Sequence, residues 1–161
     1  MYYYIDGYNL IFSLIDSKRS LQTVRETLVH FLQKKFTKCK LSGTLVFDGS
    51  FKAGEESGHS YPSPPVVVFT PEGTSADEYI VDRIEQAKNR KLITVITNDR
   101  GLILHVKSAG ANVQNNLDFI ETLEKWSKKK KRSKTDPVDT QHNIDRLQKI
   151  FEERLKNNPD E

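Results

Sequence analysis

The sequence lacks the features that mark disulfide-linked, secreted or membrane-spanning proteins. Its 161 residues include one cysteine, Cys39, so an intramolecular disulfide and a zinc site built from several cysteines are both excluded. No apolar run reaches the ~18 residues of a membrane-spanning helix. The N-terminal stretch, in which Asp6 directly follows a short apolar run, does not have the pattern of a signal peptide. These absences predict a soluble protein of the reducing cytoplasm.

The composition is that of one domain with a modest extension. The chain is 36% hydrophobic and 29% charged, which is sufficient for one hydrophobic core. The net charge of +3 conceals an asymmetry, because residues 1–124 hold 14 Lys and Arg against 15 Asp and Glu, whereas residues 125–161 hold 11 against 7. The neutral body is expected to bind polyanions poorly unless its charges are segregated, with the acids in one cleft and the bases around it.

Patterns typical of strands and of helices alternate along the chain. Strands are predicted for the run ending at Asp6 and for residues 43–48, 66–69, 92–97 and 111–114. Helices are predicted for residues 20–38, 76–90, 100–108, 117–126 and 139–157. Gly7 is expected to turn the chain off the first strand, and residues 49–65 to form a long surface loop. This alternation predicts an α/β fold: three layers, doubly wound, with a mainly parallel five-stranded sheet.

Three segments follow from this pattern. Residues 1–126 are expected to form the α/β domain, residues 127–137 a basic linker containing KKKKRSK, and residues 138–161 an amphipathic helix and tail. The last helix has an apolar stripe that is expected to be buried on the body or on a partner. The stripe consists of Ile144, Leu147, Phe151 and Leu155. In the helix at 20–38, the basic residues Arg25, Lys34, Lys35 and Lys38 are expected to lie opposite its apolar face.

Acidic side chains recur where the predicted strands end. Asp6, Asp48 and Asp99 each end a strand, and Asp77 lies in the first turn of a helix that begins at the same edge. Because ligands of open α/β sheets bind at the carboxyl ends of the strands, four carboxylates are expected to converge there. Carboxylates crowded together repel one another, and Mg²⁺ or Mn²⁺ would relieve the repulsion while leaving positions for phosphate oxygens. We therefore predict metal-assisted hydrolysis of a phosphodiester.

Polar neighbours of these acids are candidate supporting residues. Asn9, Thr97 and Asn98 are expected to orient metal-bound water or the scissile phosphate, and Arg100 to bind phosphate or to offset the acidic charge.

Each acidic signal also has an ordinary alternative. An Asp-Gly pair is a common turn, and Ser75 followed by Asp77 and Glu78 is a common helix start, with Ser75 and Glu78 forming a capping box. The combination of three strand-end acids with one helix-start acid favours a site over independent turns and caps. The four histidines, His30, His59, His105 and His142, are interpreted as surface or packing residues.

Six short motifs occur in order along residues 1–124. They are IDGYN at 5–9, VFDG at 46–49, VVFT at 67–70, TSADEYI at 74–80, TND at 97–99 and GA at 110–111. Together they resemble the YacP-like NYN domains, a branch of the PIN-like metal-dependent ribonucleases, whereas the lysine-rich segment and last helix match only loosely. The resemblance implies an endoribonuclease that uses Mg²⁺ or Mn²⁺ held by Asp6, Asp77 and Asp99, with Asn9 in support. Bacterial members are similar to a ribosome-associated enzyme that cuts messenger RNA, so RNA and the ribosome are the implied partners.

The chain departs from this family pattern at one position. Val81 occupies the place, four residues after Asp77, where an acid often stands in the family. Glu78 and Asp82 lie about 100° and 140° around the helix from that face, so neither is an obvious replacement. Because of Val81, we retain a second hypothesis: a catalytically weak adaptor on the same fold that binds RNA or the ribosome.

A basic run after the body is a candidate RNA contact. It contains Lys128, Lys129, Lys130, Lys131 and Arg132. Clustered lysines bind phosphates through counterion release whatever the fold, so this run is interpreted as a tether to RNA or the ribosome. Trp126 is expected either to stack on a base or to pack at the end of a helix.

Overall fold

The computed structural model describes residues 1–15, 20–49, 63–129, 148–149 and 151–153. Within these residues the strands are β1 Tyr2–Asp6, β2 Ser42–Phe47, β3 Val66–Phe69, β4 Ile93–Ile96 and β5 Asn112–Gln114. The helices of the body are α1 Gly7–Leu14, α2 Leu21–Cys39, α3 Ala76–Gln86, α4 Arg100–Ser108 and α5 Asn116–Lys129. The predicted α/β fold with a parallel five-stranded sheet is confirmed.

The order of the strands places a crevice beside β1. The sheet runs β3-β2-β1-β4-β5, and every neighbouring pair is parallel. The chain builds the sheet outward from β1 in one direction through β2 and β3, and then in the other through β4 and β5. Ile5 of β1 is in register with Leu45 of β2 and Ile96 of β4. The carboxyl ends of β1 and β4 therefore meet at the point where the winding reverses, which is the usual ligand position in such sheets.

Helices cover both faces of the sheet. The core of one face involves α1, α2 and α5, and includes the fully buried side chains of Leu32, Phe36 and Phe119. The core of the other face involves α3 and α4, and includes Ile80 and Val106. Each fully buried side chain of this size contributes about 1.5–3 kcal/mol relative to exposure. The two cores hold the strand ends in fixed positions.

Several boundaries differ from the sequence prediction. Gly7 does not form a turn, because α1 begins there directly after β1. A Cβ atom at Gly7 would lie 2.4 Å from Cε1 of Phe47, so glycine is needed for the close approach of α1 to β2. The predicted helix over 76–90 ends at Gln86, and Arg90–Leu92 form a separate 3-10 helix. Helix α5 extends to Lys129, so the first residues assigned to the basic linker are helical.

Arg25, which was expected to lie opposite the apolar face of α2, is buried. Arg25 is 3% exposed, its Nη1 donates a hydrogen bond to the Tyr8 hydroxyl over 3.1 Å, and its guanidinium lies 5.2 Å from the centre of the Phe69 ring. Lys35 is mostly covered as well, and its Nζ lies 2.6 Å from Oε1 of Glu124. Helix α2 is therefore contacted on more than its apolar face, which a single hydrophobic stripe does not reveal.

The last apolar stripe contacts the body at one described residue. Phe151 is 2% exposed and its ring lies 5.0 Å from that of Phe31 in α2. The other stripe residues, Ile144, Leu147 and Leu155, and the basic residues Lys130, Lys131 and Arg132 lie outside the described residues. In the described part of the chain, no helix is both long and apolar enough to cross a lipid bilayer.

Candidate active site

Asp6 lies at the centre of the carboxyl edge of the sheet. It is the last residue of β1 and the cap of α1, and it is 7% exposed. Thr97, which directly follows β4, is fully buried and its Oγ1 lies 3.3 Å from Asp6 Oδ2. The parallel register of β1 and β4 sets this contact, since Ile5 and Ile96 are partners and the next residues of each strand are Asp6 and Thr97. A predicted metal ligand and a predicted supporting residue are thus brought together.

Asn9 connects three segments near Asp6. Its Oδ1 accepts a hydrogen bond from the backbone N–H of Asn98 over 2.8 Å and from Nδ2 of Asn116 over 2.9 Å. Asn116 Nδ2 also lies 2.9 Å from Ser13 Oγ, and its backbone N–H donates to Asn98 Oδ1 over 2.9 Å. Asn98 and Asn9 are both polar neighbours predicted from the sequence. Asn116 was not among the residues singled out from the sequence, and its contact with Asn9 was missed.

Asp99 is exposed and caps α4. Its Oδ1 accepts a hydrogen bond from the Leu102 backbone N–H over 2.8 Å, and its own N–H donates to Thr97 Oγ1 over 3.1 Å. The second carboxylate oxygen has no such bond to the helix. Asp99 therefore combines an ordinary capping role with a position beside Thr97, so the two interpretations of this residue are compatible.

Asp77 reaches the same edge from the start of α3. Ser75 and Glu78 form the predicted capping box, in which Glu78 N–H donates to Ser75 Oγ over 3.1 Å and Ser75 N–H donates to Glu78 Oε2 over 3.2 Å. This box confirms the helix start and engages one carboxylate oxygen of Glu78. Asp77 is half-buried in the first turn. The backbone amides of that turn favour a negative charge.

Asp48 follows β2 at the same edge. The adjacent turn is held by Thr70, whose Oγ1 accepts a hydrogen bond from the Gly49 N–H over 3.0 Å. Asp48 is half-buried, and its charge acts on that of Asp77. The Asp48 carboxylate therefore lies close enough to add to the repulsion among the acids at the carboxyl edge of the sheet.

The carboxylates oppose one another's ionisation. The pKa of Asp6 is raised to about 7: burial is the largest cause, the charges of Asp77 and Asp99 also raise it, and hydrogen bonds from Thr97 and Asn9 lower it. Burial also raises the pKa of Asp77, as do Asp99, Asp48 and Glu78, whereas His105 lowers it. Within the described ranges, no Lys or Arg forms an ion pair with Asp6, Asp77 or Asp99. Three coupled carboxylates therefore have no cation in contact with them.

A cleft of about 380 Å³ lies between α3 and α4, next to Asp77. It is lined by Asp77, Glu78, Val81, Asp82, Glu85, Gly101 and His105. Asp82 was expected on a different helix face from Asp77 and Val81, but the cleft is wide enough to include all of them. His105, which was interpreted as a surface or packing residue, is exposed and also lines this cleft. Helix α3 connects β3 to β4 and α4 connects β4 to β5, and both helices pack on the same face of the sheet.

The donor atoms suit a hard divalent cation by type. Carboxylate oxygens are the ligands that Mg²⁺ and Mn²⁺ prefer, and these carboxylates are uncompensated. Among the residues that the structure describes, no group of three or more His, Cys, Asp or Glu side chains is arranged to hold a metal ion. Asp6, Asp77 and Asp99 therefore fit Mg²⁺ or Mn²⁺ only by their oxygen atoms and their negative charge. Each of the three comes from a different element of the fold.

Of the predicted RNA contacts that the structure describes, Arg100 lies beside these acids and the lysines do not. Arg100 is exposed beside Asp99 and makes no ion pair with a described acid. Trp126 is half-buried and packs on the core of α1, α2 and α5, which supports its packing interpretation. Lys128 and Lys129 lie in the last turn of α5, and Ser127 Oγ in that turn is 3.8 Å from Cys39 Sγ at the end of α2. The basic run therefore starts at the edge of the sheet opposite Asp6.

Comparisons with known proteins agree with this fold. A family model described as the YacP-like NYN domain matches residues 3–159, which includes the C-terminal segment that the sequence motifs did not cover. A crystal structure of a point mutant of Rae1 (YacP) from Bacillus subtilis is 17% identical, with a TM-score of 0.65, over 95% of this chain and 99% of that chain. Another structure of Rae1 (YacP) from Bacillus subtilis is 20% identical, with a TM-score of 0.61, over 98% and 85%. No curated protein sequence matches the chain.

Proposed function

The chain belongs to the YacP-like NYN domain family, and from this membership we propose that it is a metal-dependent endoribonuclease that hydrolyses RNA phosphodiester bonds. The family is one of PIN-like nucleases, so RNA is the expected substrate class. The observation that carries the proposal is the uncompensated coupling of Asp6, Asp77 and Asp99, each of which reaches the carboxyl edge from a different element. A purely structural arrangement would pair such carboxylates with Lys or Arg.

Asp6, Asp77 and Asp99 would hold the Mg²⁺ or Mn²⁺ ion. When bound, the ion would lower the pKa of the attacking water and neutralise charge on the phosphate. The residues around the ion would then have different roles. Asp6 must lose its proton before it can bind a cation, and Thr97 fixes its carboxylate by the 3.3 Å contact. Asn98 is exposed beside Asn9 and is placed to bind a phosphate oxygen or a water molecule.

The ends of the helices favour an anionic substrate at this edge. Helices α1, α3 and α4 all begin there, at Gly7, Ala76 and Arg100. The free backbone N–H groups and dipoles of helix N-termini attract phosphate, which opposes the repulsion from the carboxylates. The Arg100 side chain has no described ion pair and is placed to supply a further positive charge to the phosphate.

We extend the proposal to the natural substrate and to a partner. Messenger RNA as the substrate and the ribosome as a partner are supported by the family resemblance alone. A free Cys39 thiol and an RNA substrate are both consistent with action in the cytoplasm. Sedimentation of the chain with ribosomes, in low and high salt, tests binding to the ribosome separately from RNA cleavage.

One observation favours a second candidate function. Val81 lines the cleft one turn after Asp77, so this part of the cleft wall has an apolar side chain rather than a fourth ligand. A catalytically weak adaptor that binds RNA or the ribosome would have the same fold and the same capped helices. Such an adaptor would bind RNA without cutting it in the presence of either metal ion.

Cleavage of a labelled single-stranded RNA tests the proposal. The wild type and Asp77→Asn are compared with Mn²⁺, with Mg²⁺ and with chelator. Glu72→Gln is the matched control, because Glu72 is an exposed acid in the loop before α3 and makes no described contact. We expect metal-dependent cutting by the wild type and Glu72→Gln, and a loss of at least about 100-fold in Asp77→Asn. Equal cutting by Asp77→Asn would refute the assigned site, and binding without cutting in all conditions would support the adaptor.

A further inference from the structure

Acidic and basic side chains are separated along the strand axis. At the carboxyl edge, the described segments 6–9, 48–49, 70–78, 97–100 and 115–118 contain seven acids and one base. The acids are Asp6, Asp48, Glu72, Asp77, Glu78, Asp99 and Asp118, and the base is Arg100. From the sequence, the body was expected to bind a polyanion well only if its charges were segregated, with the acids in one cleft and the bases around it. In the described part of the chain, the bases instead gather at the other end of the strands.

The amino edge of the sheet carries the opposite charge. Helices α2, α3 and α4 end there before β2, β4 and β5, and α5 ends beside the last residue of α2. We name this surface the basic edge and define it by residues 40–42, 87–92, 107–111 and 125–129. It contains eight cations and no Asp or Glu. The cations are Lys40, Lys88, Arg90, Lys91, Lys107, Lys125, Lys128 and Lys129.

These segments lie side by side. The register pairs Tyr2 with Ser42 on one side and with Ile93 on the other, and pairs Thr94 with Asn112. The strands that start at this edge are about 4.8 Å apart, so β2, β1, β4 and β5 span about 14 Å. A surface of this width can contact several nucleotides of an extended single-stranded RNA.

Two of the loops are fixed to each other. Arg90 donates hydrogen bonds from Nη1 to the Ala109 carbonyl over 3.2 Å and from Nη2 to the Glu85 carbonyl over 2.8 Å. Asn112 Nδ2 donates to the Lys91 carbonyl over 2.8 Å. The backbones that carry Lys91 and Lys107 are therefore held in place, and no ordering of these loops is needed before a ligand binds.

The lysines of the basic edge are available to a ligand. Lys40, Lys88, Lys91, Lys107 and Lys125 are exposed, and none of them forms an ion pair within the described residues. Lysines near helix C-termini are stabilised by the helix dipole, which accounts for Lys107 and for the lysines of α5. Lys88 and Lys91 follow α3 by two and five residues, beyond its last turn, so the dipole does not account for them.

We propose that the basic edge is a second RNA-binding surface, which holds the phosphate backbone of single-stranded RNA on the side of the sheet opposite the acidic site. The charge, the absence of acids and the fixed loops favour a polyanion with regularly spaced phosphates over a folded acidic protein. This inference does not depend on cleavage at Asp6, Asp77 and Asp99.

Binding of a labelled 20-nucleotide oligouridylate to the full chain tests the proposal. Fluorescence anisotropy is measured in chelator, so that binding is read without cleavage, at salt concentrations from 25 to 200 mM. The double variant Lys91→Gln/Lys107→Gln removes two positive charges from the basic edge. The matched control is Lys34→Glu, which changes the net charge by the same amount at an exposed position of α2 outside the basic edge. Urea denaturation of both variants confirms that each is folded.

We expect the double variant to bind at least about fivefold more weakly at low salt. Its salt dependence should be less steep by about 1.4, since each phosphate contact to a single strand contributes about 0.7 to the slope of log K against log salt. Lys34→Glu should bind much as the wild type does.

Equal weakening by both variants would overturn the proposal, because net charge alone would then explain binding. Equally effective competition by polyglutamate and RNA would also overturn it, in favour of an acidic protein partner. A chain that never cuts RNA, yet loses affinity only in the double variant, would refute the nuclease and leave the basic edge established.

Discussion

The side-chain nitrogen of Asn116 lies 2.9 Å from Asn9 Oδ1, and this bond joins the start of α5 to α1. The two residues are 107 positions apart in the chain, and both lie beside the carboxyl edge of the sheet. Because Asn9 Oδ1 also accepts the Asn98 N–H and lies 3.4 Å from Thr97 Oγ1, rotation of the Asn9 side chain would break three contacts at once. The orientation of Asn9 next to Asp6 is therefore set by residues from the C-terminal half of the domain.

Removal of this bond should reduce activity more than stability. In Asn116→Ala, Asn9 and Ser13 both lose a buried donor, so we expect the free energy of unfolding to fall by about 1–3 kcal/mol. If Asn9 positions water or phosphate, the rate of RNA cleavage at a temperature where the variant is folded should fall by at least about tenfold. Urea denaturation and cleavage assays on one preparation measure both effects.

The neighbouring residue provides the control for Asn116→Ala. Asn115 caps α5 by accepting the Asp118 N–H over 2.8 Å, and it has no contact with Asn9. Asn115→Ala should cost about 1 kcal/mol and leave cleavage nearly unchanged. If both variants lose activity in proportion to their stability, Asn116 is only a structural residue.

Two substitutions separate the roles of Asp99. Asp99→Asn keeps a side-chain oxygen that accepts the Leu102 N–H but removes the charge, whereas Asp99→Ala removes both. Since Asn is as good a helix cap as Asp, the first should change stability by less than about 0.5 kcal/mol and the second should cost about 1 kcal/mol. Metal-dependent cleavage should be lost in both variants. Retained cleavage in Asp99→Asn would show that the residue is a cap and not a metal ligand.

The strand-end acids were predictable because their positions depend on topology alone. Parallel strands place their carboxyl ends at one edge, so Asp6, Asp48 and Asp99 follow from the strand assignment, and Asp77 follows from the capping box at Ser75. No side-chain packing has to be known for this inference. The same holds for the fold class, which depends only on the alternation of strands and helices.

The contacts that depend on packing between distant segments were not predictable. The burial of Arg25 requires Tyr8 and Phe69 to meet on the far side of α2, and the position of His105 opposite Asp77 requires the spacing between α3 and α4. Gly7 is a similar case, because its need for glycine comes from the ring of Phe47 rather than from a turn. Local sequence patterns contain no information about these partners.

Phe151 provides a test of how the C-terminal helix attaches. Because its ring is buried against Phe31, Phe151→Ala should lower the free energy of unfolding by about 3 kcal/mol in urea denaturation of the full chain. Glu153→Ala, at an exposed position of the same helix, should change it by less than about 0.5 kcal/mol. If the two substitutions have equal small effects, the stripe does not contribute to the stability of the body.

The raised pKa of Asp6 predicts a stability that falls with pH in metal-free protein. The folded chain keeps a proton on Asp6 up to about pH 7, whereas the unfolded chain releases it near pH 3.8. The folded state thus binds the extra proton between these values, so the contribution of Asp6 to the free energy of unfolding decreases from about pH 4 to about pH 7 and is constant above. Asp6→Asn removes the titrating group but keeps an oxygen for the Thr97 hydroxyl. In chelator, it should be more stable than the wild type by about 4 kcal/mol at pH 8 and by only about 0.5 kcal/mol at pH 4.

Urea denaturation at the two pH values measures this difference, and Glu72→Gln is the control because that acid is exposed. A variant that is less stable than the wild type at pH 8 would contradict the electrostatic account of Asp6. Addition of Mn²⁺ at pH 8 should then raise the stability of the wild type, since a cation that binds only the folded state stabilises it by mass action. The same addition should have little effect on Asp6→Asn. A gain of equal size in both proteins would mean that the ion binds away from Asp6, and the proposed ligand set would have to be abandoned.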